Sequence, residues 1–436
     1  MKLVVLILFL FFSYDIKCKE NYSPEFFELK NGMKVVVIQN KRAPVIAQMI
    51  WYDFGSDVEE RGKSGLAHFM EHLMFKGTKK FPDNSYSNFI SKIGGSENAF
   101  TSYDYTAYYQ IFPKDELKKI MQMEADRMTN LTLTRKNVEI EREVILEERF
   151  QRIESDPSSK LDESMRSVLF PNHYYGRPII GWKHEIEDLK FEDVIKFYKK
   201  HYIPNNATLV LSGDVDLKKA KKLSKKYFGR IKKGRKPKKN MLIDPDMSAN
   251  VFVGMKHSTV KQDVWKKFYR THSYKDNLKD SISLDLGLKI LASGSSSLLY
   301  KILVEEKKIF SVVGGYYQGM TKGEGSVYLY AIPKEKLKLK NIDKIIMNEI
   351  KKIIEKGIDK KRFDIEKKKY FYDIVYDRDG ILNPAQIFGE SLTIGMKIDD
   401  ILKWDENLKD IKKDDVEESL LNFFSNKNYV IGGLSN

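Results

Sequence analysis

The pentapeptide His68-Phe-Met-Glu71-His72 constrains this chain more than any other stretch, and it lies in a helix-forming run between Gly65 and Gly77. Residues four apart share one face of a helix, so His68 and His72 can bring two imidazoles to one metal ion. Two neutral imidazoles suit Zn²⁺, and a carboxylate beside a metal-activated water can act as a general base. The order is the reverse of the H-E-x-x-H zinc motif. The stretch therefore predicts a zinc site on a helix, with Glu71 as the base.

A catalytic zinc ion usually has three protein ligands, so one more is needed. The best candidates lie in the charged amphipathic run from Glu139 to Glu148, where Glu141 and Glu148 are seven apart and share a helical face. The alternative interpretation is a solvated helix of mixed charge, which is the usual role of such runs. The residues alone leave this choice open.

Five blocks occur in order along the first half of the chain: residues 65–78, 94–101 with 104–106, 141–148, 175–182 and 204–215. Taken together, these blocks resemble those of the pitrilysin (M16) family of peptidases. The resemblance is to the shorter branch, which includes bacterial members and the mitochondrial processing peptidase. The joint occurrence of the blocks is far more specific than the pentapeptide alone.

The resemblance implies one zinc ion per chain, bound by His68, His72 and Glu148, with Glu71 as the catalytic base. Glu141 matches an additional glutamate of the family that supports the site. No histidine follows His272, so the resemblance gives the second half of the chain no zinc site of its own.

The segment at Asn98 and Ala99 matches the strand with which family members pair the substrate backbone. Such pairing adds the peptide to a sheet edge and demands little of its sequence. From the residues alone, the alternative is an ordinary core strand that follows the turn at Gly94-Gly95.

The resemblance implies an α+β fold of two structurally similar halves, each a largely antiparallel sheet flanked by helices, as in pitrilysin-like and LuxS-like metallohydrolases. The predicted divisions are a signal peptide at 1–18, a zinc-binding half at 19–230, a linker at 231–249 and a second half at 250–436. The second half weakly echoes the first, because the run from Asp285 to Leu291 occupies a place comparable to the histidine helix.

Hydrophobic periodicity also predicts individual elements in the first half. The strands are expected at 33–39, 44–52, 105–112 and 207–213, and the helices at 85–93, 117–128, 135–152, 191–201 and 217–228.

The N-terminus carries one lysine followed by an apolar run to Phe12, which is typical of a secretory signal peptide and predicts a periplasmic protein. An uncleaved N-terminal anchor is the alternative. No later stretch is apolar enough to span a bilayer. Cys18 is the only cysteine, so the mature chain is expected to have no disulfide.

The net charge of +15 comes mostly from lysines spread along the chain. No nucleic-acid-binding motif accompanies it, so we expect no nucleic-acid partner. The basic run 230–239 has no hydrophobic periodicity and is typical of a solvated linker.

One departure from the family bears on partners. Self-sufficient members carry an arginine and a tyrosine, seven apart, that hold the substrate carbonyl, and the matching positions here are Val304 and Ser311. Heterodimeric members divide these roles between two subunits. The resemblance therefore implies peptidase activity with a second subunit of similar fold, or a homodimer. A non-catalytic scaffold of the same fold and a zinc-dependent peptide binder without turnover are the alternatives.

Overall fold

The protein is described by a computed structural model for residues 24–237, 242–425 and 427–436. The first sheet has the strand order β1-β2-β6-β3-β5-β4. Strands β2 and β6 are parallel, and the other neighbours are antiparallel. Its strands are β1 (Glu25–Glu28), β2 (Lys34–Gln39), β3 (Val45–Tyr52), β4 (Ser96–Thr101), β5 (Thr106–Pro113) and β6 (Ala207–Gly213).

The second sheet repeats the arrangement of the first without a counterpart of β1. Its order is β7-β11-β8-β10-β9, with β7 and β11 parallel and the other neighbours antiparallel. The predicted fold of two similar halves is thereby confirmed. Its strands are β7 (Val251–Lys256), β8 (Val264–Thr271), β9 (Phe310–Gln318), β10 (Gly325–Pro333) and β11 (Val430–Ser435).

Helices surround both sheets. In the first half they are α1 (Leu66–Leu73), α2 (Ser85–Lys92), α3 (Leu117–Asn130), α4 (Arg135–Arg149), α5 (Pro157–Leu169), α6 (Lys183–Asp188), α7 (Phe191–His201) and α8 (Leu217–Tyr227). In the second half they are α9 (Leu278–Leu291), α10 (Leu298–Tyr300), α11 (Leu339–Lys356), α12 (Lys360–Asp377), α13 (Leu382–Ile394), α14 (Ile398–Leu402), α15 (Trp404–Asp410) and α16 (Lys413–Ser425). Short 3-10 turns lie at Ser56–Val58, Met74–Lys76, Lys114–Glu116, Tyr174–Gly176 and Pro204–Asn206, and π-helical stretches at Phe150–Glu154 and Lys301–Glu306.

The elements predicted for the first half agree with those observed to within about two residues at each end, except at the C-terminal end of the helix predicted at 135–152. There, α4 ends at Arg149 and the chain continues as the π-helical stretch Phe150–Glu154. Helix α9 follows β8 as α1 follows β3, so the predicted correspondence between the Asp285 run and the histidine helix also holds.

The two faces of the first sheet are covered by different halves of the chain. Ile46 and Ile50 of β3 belong to the core of the first half, which also holds the apolar side of α1, whereas Met49 and Trp51 belong to a core shared with the second half. This division follows from the alternation of side chains along a strand. Helix α13 covers that second face, where a Cβ added at Gly389 would lie 1.9 Å from Nε1 of Trp51. The two halves therefore share a continuous apolar core.

Two predictions concern parts of the chain that the structure covers incompletely. The signal peptide at 1–18 lies outside the described residues, and so do residues 238–241 of the predicted linker at 231–249. The described residues of that linker form no helix or strand. Across the described ranges, no helix has both the length and the apolar character needed to cross a bilayer.

Candidate metal centre

Helix α1 buries one side and presents three polar side chains on the other. Leu66, Phe69, Met70 and Leu73 are buried at the i, i+3, i+4, i+7 spacing of a single helical face. This packing leaves His68, Glu71 and His72 directed toward a cavity between the two halves. The local pattern of the sequence thus explains why the histidines share a face.

Helix α4 brings Glu148 to the two histidines. Its Oε2 lies 3.6 Å from Nε2 of His68 and 3.4 Å from Nε2 of His72. Ligand atoms about 2.0–2.1 Å from a tetrahedral zinc ion lie roughly 3.3–3.4 Å from one another. Among the residues that the structure describes, these three form the one group of three or more potential donors spaced for a metal ion.

Unpaired polar atoms support the same interpretation. Oε2 of Glu148 is buried and has no hydrogen-bond partner. Buried carboxylate oxygens are normally satisfied, and an unpaired one needs an explanation such as a missing ion. The donor set of two imidazoles and one carboxylate is a common one for catalytic zinc. The residues present therefore fit a zinc ion.

Glu141 orients His72. Nδ1 of His72 lies 2.8 Å from Oε1 of Glu141, and the other oxygen of Glu141 lies 2.5 Å from Nζ of Lys76. A carboxylate on Nδ1 directs Nε2 toward a metal and fixes the tautomer. His68 lacks such support, because its Nδ1 is buried without a hydrogen-bond partner.

The two histidines have opposite electrostatic environments. Burial lowers the pKa of His68 to about 4, with the nearby His72 acting in the same direction. Burial also lowers the pKa of His72, but the hydrogen bond to Glu141 and the nearby carboxylate of Glu148 outweigh it and raise that pKa to about 9. The close approach of the His72 imidazole lowers the pKa of Glu148. Carboxylates thus stabilise positive charge at this point, as a cation site requires.

Thr101 holds Glu71. Oγ1 of Thr101, the last residue of β4, donates a hydrogen bond of 2.6 Å to Oε2 of Glu71. Burial raises the pKa of Glu71, and this hydrogen bond opposes the rise. No direct signal in the sequence pointed to this contact, although Thr101 lies in one of the blocks that carry the family resemblance.

Glu59 closes the N-terminus of α1, which sequence reasoning also missed. Its carboxylate accepts hydrogen bonds from the backbone N–H groups of Gly65, at 3.1 Å, and Ala67, at 2.8 Å. Gly65 has φ +85, and a Cβ added there would lie 2.4 Å from the carbonyl oxygen of Ile180. The blocks 65–78 and 175–182 therefore meet through a close backbone contact that needs glycine.

Strand β4 forms one wall of the cavity. It is the edge strand of the first sheet, since only β5 pairs with it. The structure thus places Asn98 and Ala99 on an edge strand, with the Asn98 side chain exposed and the Ala99 side chain packed in the core of the first half. The side-chain oxygen of Asn98 accepts a hydrogen bond of 2.8 Å from the N–H of Ala99.

The cavity has a volume of about 1230 Å³ and is lined by both halves of the chain. The first half contributes α1, β4, the end of α4 and the π-helical stretch after it, where Arg152 donates a 3.0 Å hydrogen bond to Oε1 of Glu148. The second half contributes residues of β8, β9 and β10, such as Lys266 and Tyr316. Val304 and Ser311 are not among the described residues that line it.

Comparisons with known proteins find matches to one peptidase family. The family model described as Insulinase (Peptidase family M16) matches residues 34–183, and the model described as Peptidase M16 inactive domain matches residues 188–370. The zinc protease PqqE of Helicobacter pylori is 29% identical over 407 residues, which cover 91% of this chain and 90% of that protein.

Solved structures share the fold. The crystal structure of a protease from Helicobacter pylori has a TM-score of 0.89 at 26% identity and covers 95% of this chain and 99% of that one. The periplasmic protease PqqL of Escherichia coli has a TM-score of 0.79 at 19% identity, and the match covers 94% of this chain but 47% of PqqL.

The family model described as an inactive domain begins at residue 188, beyond Glu148, so none of the four candidate metal and base residues lies within its match.

Proposed function

The chain belongs to peptidase family M16, and on this basis we propose that it is a zinc-dependent endopeptidase that cleaves unstructured peptides or protein segments bound in extended form. The observation that carries the proposal is the cluster of His68, His72 and Glu148, with the carboxylate of Glu71 on the same face of α1. A non-catalytic subunit would have no need of this complete set.

Each residue has a proposed role. His68, His72 and Glu148 hold the zinc ion, and Glu141 orients His72 through Nδ1. When bound, zinc would supply Lewis acidity that activates water and polarises the scissile carbonyl. Glu71 takes a proton from the attacking water and passes it to the leaving amine. The hydroxyl of Thr101 holds the Glu71 carboxylate in place for both transfers.

The exposed edge of β4 is the proposed binding site for the substrate backbone. An extended peptide that pairs with this edge near Asn98 and Ala99 would lie in the same cavity as the candidate metal centre. Backbone pairing demands an unfolded segment but little side-chain specificity. The N–H of Ala99 is already bonded to the side chain of Asn98, so a substrate would displace that side chain to pair there.

A second subunit of similar fold is proposed to complete the substrate site. The match to PqqL covers less than half of that protein, so this chain corresponds in fold to one portion of a longer protease. Val304 and Ser311, which replace the arginine and tyrosine of self-sufficient members, lie outside the lining of the cavity. The partner is either a distinct chain that supplies both groups or a second copy of this chain. The divisions at 1–18, 19–230, 231–249 and 250–436 remain part of the proposal.

A periplasmic location is proposed on two grounds. The N-terminal segment resembles a signal peptide, and a protein of related fold, PqqL, is a periplasmic protease.

The decisive experiment measures turnover of a quenched, unstructured peptide by the purified chain with zinc, beside Glu71→Gln and Glu147→Gln. Glu147 lines the same cavity but is not among the four candidate metal and base residues, so it is the matched control. We expect Glu71→Gln to retain bound zinc and to lose about 10²–10⁴-fold in kcat. Zinc content measured by elemental analysis gives a readout that does not depend on activity.

Native mass spectrometry of the same samples reports the oligomeric state. A zinc-loaded chain with no turnover in the wild type would favour an obligate partner or the scaffold alternative. A fully active monomer would contradict the proposed second subunit.

A further inference from the structure

The hairpin between β9 and β10 reaches from the second half into the first half. Its tip carries Lys322, whose side chain is 12% exposed. Nζ of Lys322 lies 2.7 Å from Oδ1 of Asp53 and 3.9 Å from Oδ2 of Asp57, and it also donates to the backbone carbonyl of Asp104. The other oxygen of Asp53 pairs with Lys236 at 3.1 Å. A lysine of one half is therefore enclosed by aspartates of the other.

Backbone contacts of the same hairpin fix its position. Oδ2 of Asp104 accepts hydrogen bonds from the N–H of Lys322 at 2.9 Å and from the hydroxyl of Tyr175 at 2.6 Å. That hydroxyl also accepts from the N–H of Gly323 at 2.9 Å. Asp104 is buried, and its pKa is raised by burial, with the charge of Lys322 opposing the rise. The hairpin tip is thus held by paired polar groups on both sides.

The aspartates lie in the two loops that flank the candidate catalytic elements. The loop with Asp53 and Asp57 leads from β3 to α1, and the loop with Asp104 leads out of β4. The two loops are joined by hydrogen bonds from the N–H of Ser56 to the carbonyl of Ser102, at 3.2 Å, and from the N–H of Asp57 to the carbonyl of Tyr103, at 2.8 Å. Thr101, which holds Glu71, directly precedes this junction.

From this arrangement we infer that Lys322 is a positioning residue for the peptidase reaction, through which the second half holds β4 against α1 and so keeps Thr101 on Glu71. The inference rests on the proposed function. The carboxylates of Asp53 and Asp57 and the backbone carbonyl of Asp104 converge on the Lys322 ammonium group, while the Asp104 carboxylate accepts from the Lys322 backbone N–H. Without that cation the three carboxylates repel at close range, because partly buried charges are poorly screened. The two loops would then separate and carry Thr101 away from Glu71.

The test compares Lys322→Met, Lys322→Arg and the double variant Lys322→Met/Asp53→Asn. We expect Lys322→Met to lower kcat about tenfold to a hundredfold, which is the range for a misplacement of catalytic groups by about 1 Å. Lys322→Arg retains the charge and should keep most of the activity. Asp53→Asn removes one repelling charge, so the double variant should regain part of the loss. Zinc affinity should not change in any of them, because the metal ligands lie on α1 and α4.

Lys267→Met is the matched control for loss of a buried lysine. Lys267 is 2% exposed and pairs with Asp343 at 3.0 Å within the second half. It belongs to the same strand as the cavity-lining Lys266 but does not line the cavity. We expect its kcat per folded molecule to stay near the wild-type value. An equal loss of kcat in the two lysine-to-methionine variants, or no loss in Lys322→Met, would overturn the inference.

Hydrogen–deuterium exchange separates this inference from the proposed function. We expect faster exchange in residues 53–57 and 96–105 of Lys322→Met than of the wild type, whether or not the wild type cleaves peptides. An inactive wild type would count against a self-sufficient peptidase and would leave the exchange test of Lys322 unaffected. Unchanged exchange in both segments would refute the role of Lys322 alone.

Discussion

The hydroxyl of Thr101 lies 2.6 Å from Oε2 of Glu71, so the end of the exposed edge strand holds the candidate base on the metal-binding helix. The two residues come from elements that are proposed to perform different tasks, since β4 binds the substrate backbone and α1 carries the base. One hydrogen bond therefore relates the position of a bound peptide to the position of the proton acceptor.

Removal of the Thr101 hydroxyl should lower kcat more than it raises KM. We expect Thr101→Val, which preserves the shape of the side chain, to reduce kcat about tenfold, because a loss of about 1.4 kcal/mol in transition-state stabilisation has that effect. Thr101→Ser keeps the hydroxyl and should stay close to the wild type. Steady-state kinetics on a quenched peptide measure both parameters. A Thr101→Val enzyme with unchanged kcat would show that Glu71 is positioned without this contact.

Local elements of the first half were predictable because their signals are local. Leu66, Phe69, Met70 and Leu73 repeat at helical spacing, and β6 has an apolar centre, Leu209 to Leu211, in a strand that is buried throughout. The same periodicity placed His68, Glu71 and His72 on one face. Assignment of Glu148 as the third ligand needed the family resemblance, since the charge pattern of α4 fits a solvated helix equally well.

The remaining parts of the site depend on pairs that are distant in sequence. Thr101 and Glu71 are 30 residues apart, and Lys322 and Asp104 are 218 apart. Periodicity carries no information about such pairs. Sheet order is equally nonlocal, so the sequence could not show that β4 lies at an edge, although this position decides whether Asn98 and Ala99 can pair with a peptide.

Loss of the Glu141 carboxylate should weaken zinc binding. We expect Glu141→Ala to lower zinc affinity about 10–100-fold, because Nδ1 of His72 loses the acceptor that orients the ring. Glu141→Gln retains an acceptor oxygen and should lose less. Competition with a chromophoric chelator measures the affinity directly.

Glu147→Ala is the control for that experiment, since this nearby carboxylate of α4 bonds to Gln151 instead of a histidine. An equal loss of affinity in Glu141→Ala and Glu147→Ala would mean that general negative charge, rather than orientation of His72, explains the effect.

The Glu59 carboxyl should make folding stability depend on pH. Burial raises its pKa from 4.5 to about 8, against the opposing effect of the hydrogen bonds from Ala67 and Gly65. The folded state therefore holds a proton that the unfolded state releases above pH 4.5. The resulting stability is complete below pH 4.5 and is lost as the pH rises through about 8, with a slope of at most about 1.4 kcal/mol per pH unit.

Urea unfolding at several pH values, for the wild type and Glu59→Gln, measures this contribution. The variant cannot ionise at this position, so its stability should fall less between pH 5 and pH 8 than that of the wild type. About one pH unit above that range, the difference in stability between the two proteins should become constant. Parallel pH profiles for the two proteins would contradict the raised pKa.

Helix α13 should be sensitive to a single added methyl group. In an ordinary helix, replacement of glycine by alanine is favourable by roughly 0.5–1 kcal/mol. At Gly389 the added Cβ would lie 1.9 Å from Nε1 of the buried Trp51, so the helix or the indole must move. We expect Gly389→Ala to destabilise the protein by about 1–3 kcal/mol, as overpacked cores do. Gly380→Ala is the control, because the nearest atom to a Cβ there is 4.0 Å away.

Trp51 belongs to the first half and Gly389 to the second, so Gly389→Ala should affect both halves. The midpoints of urea unfolding measured by fluorescence and by circular dichroism should therefore shift together. A shift in only one signal would show that the two halves unfold separately despite their shared core.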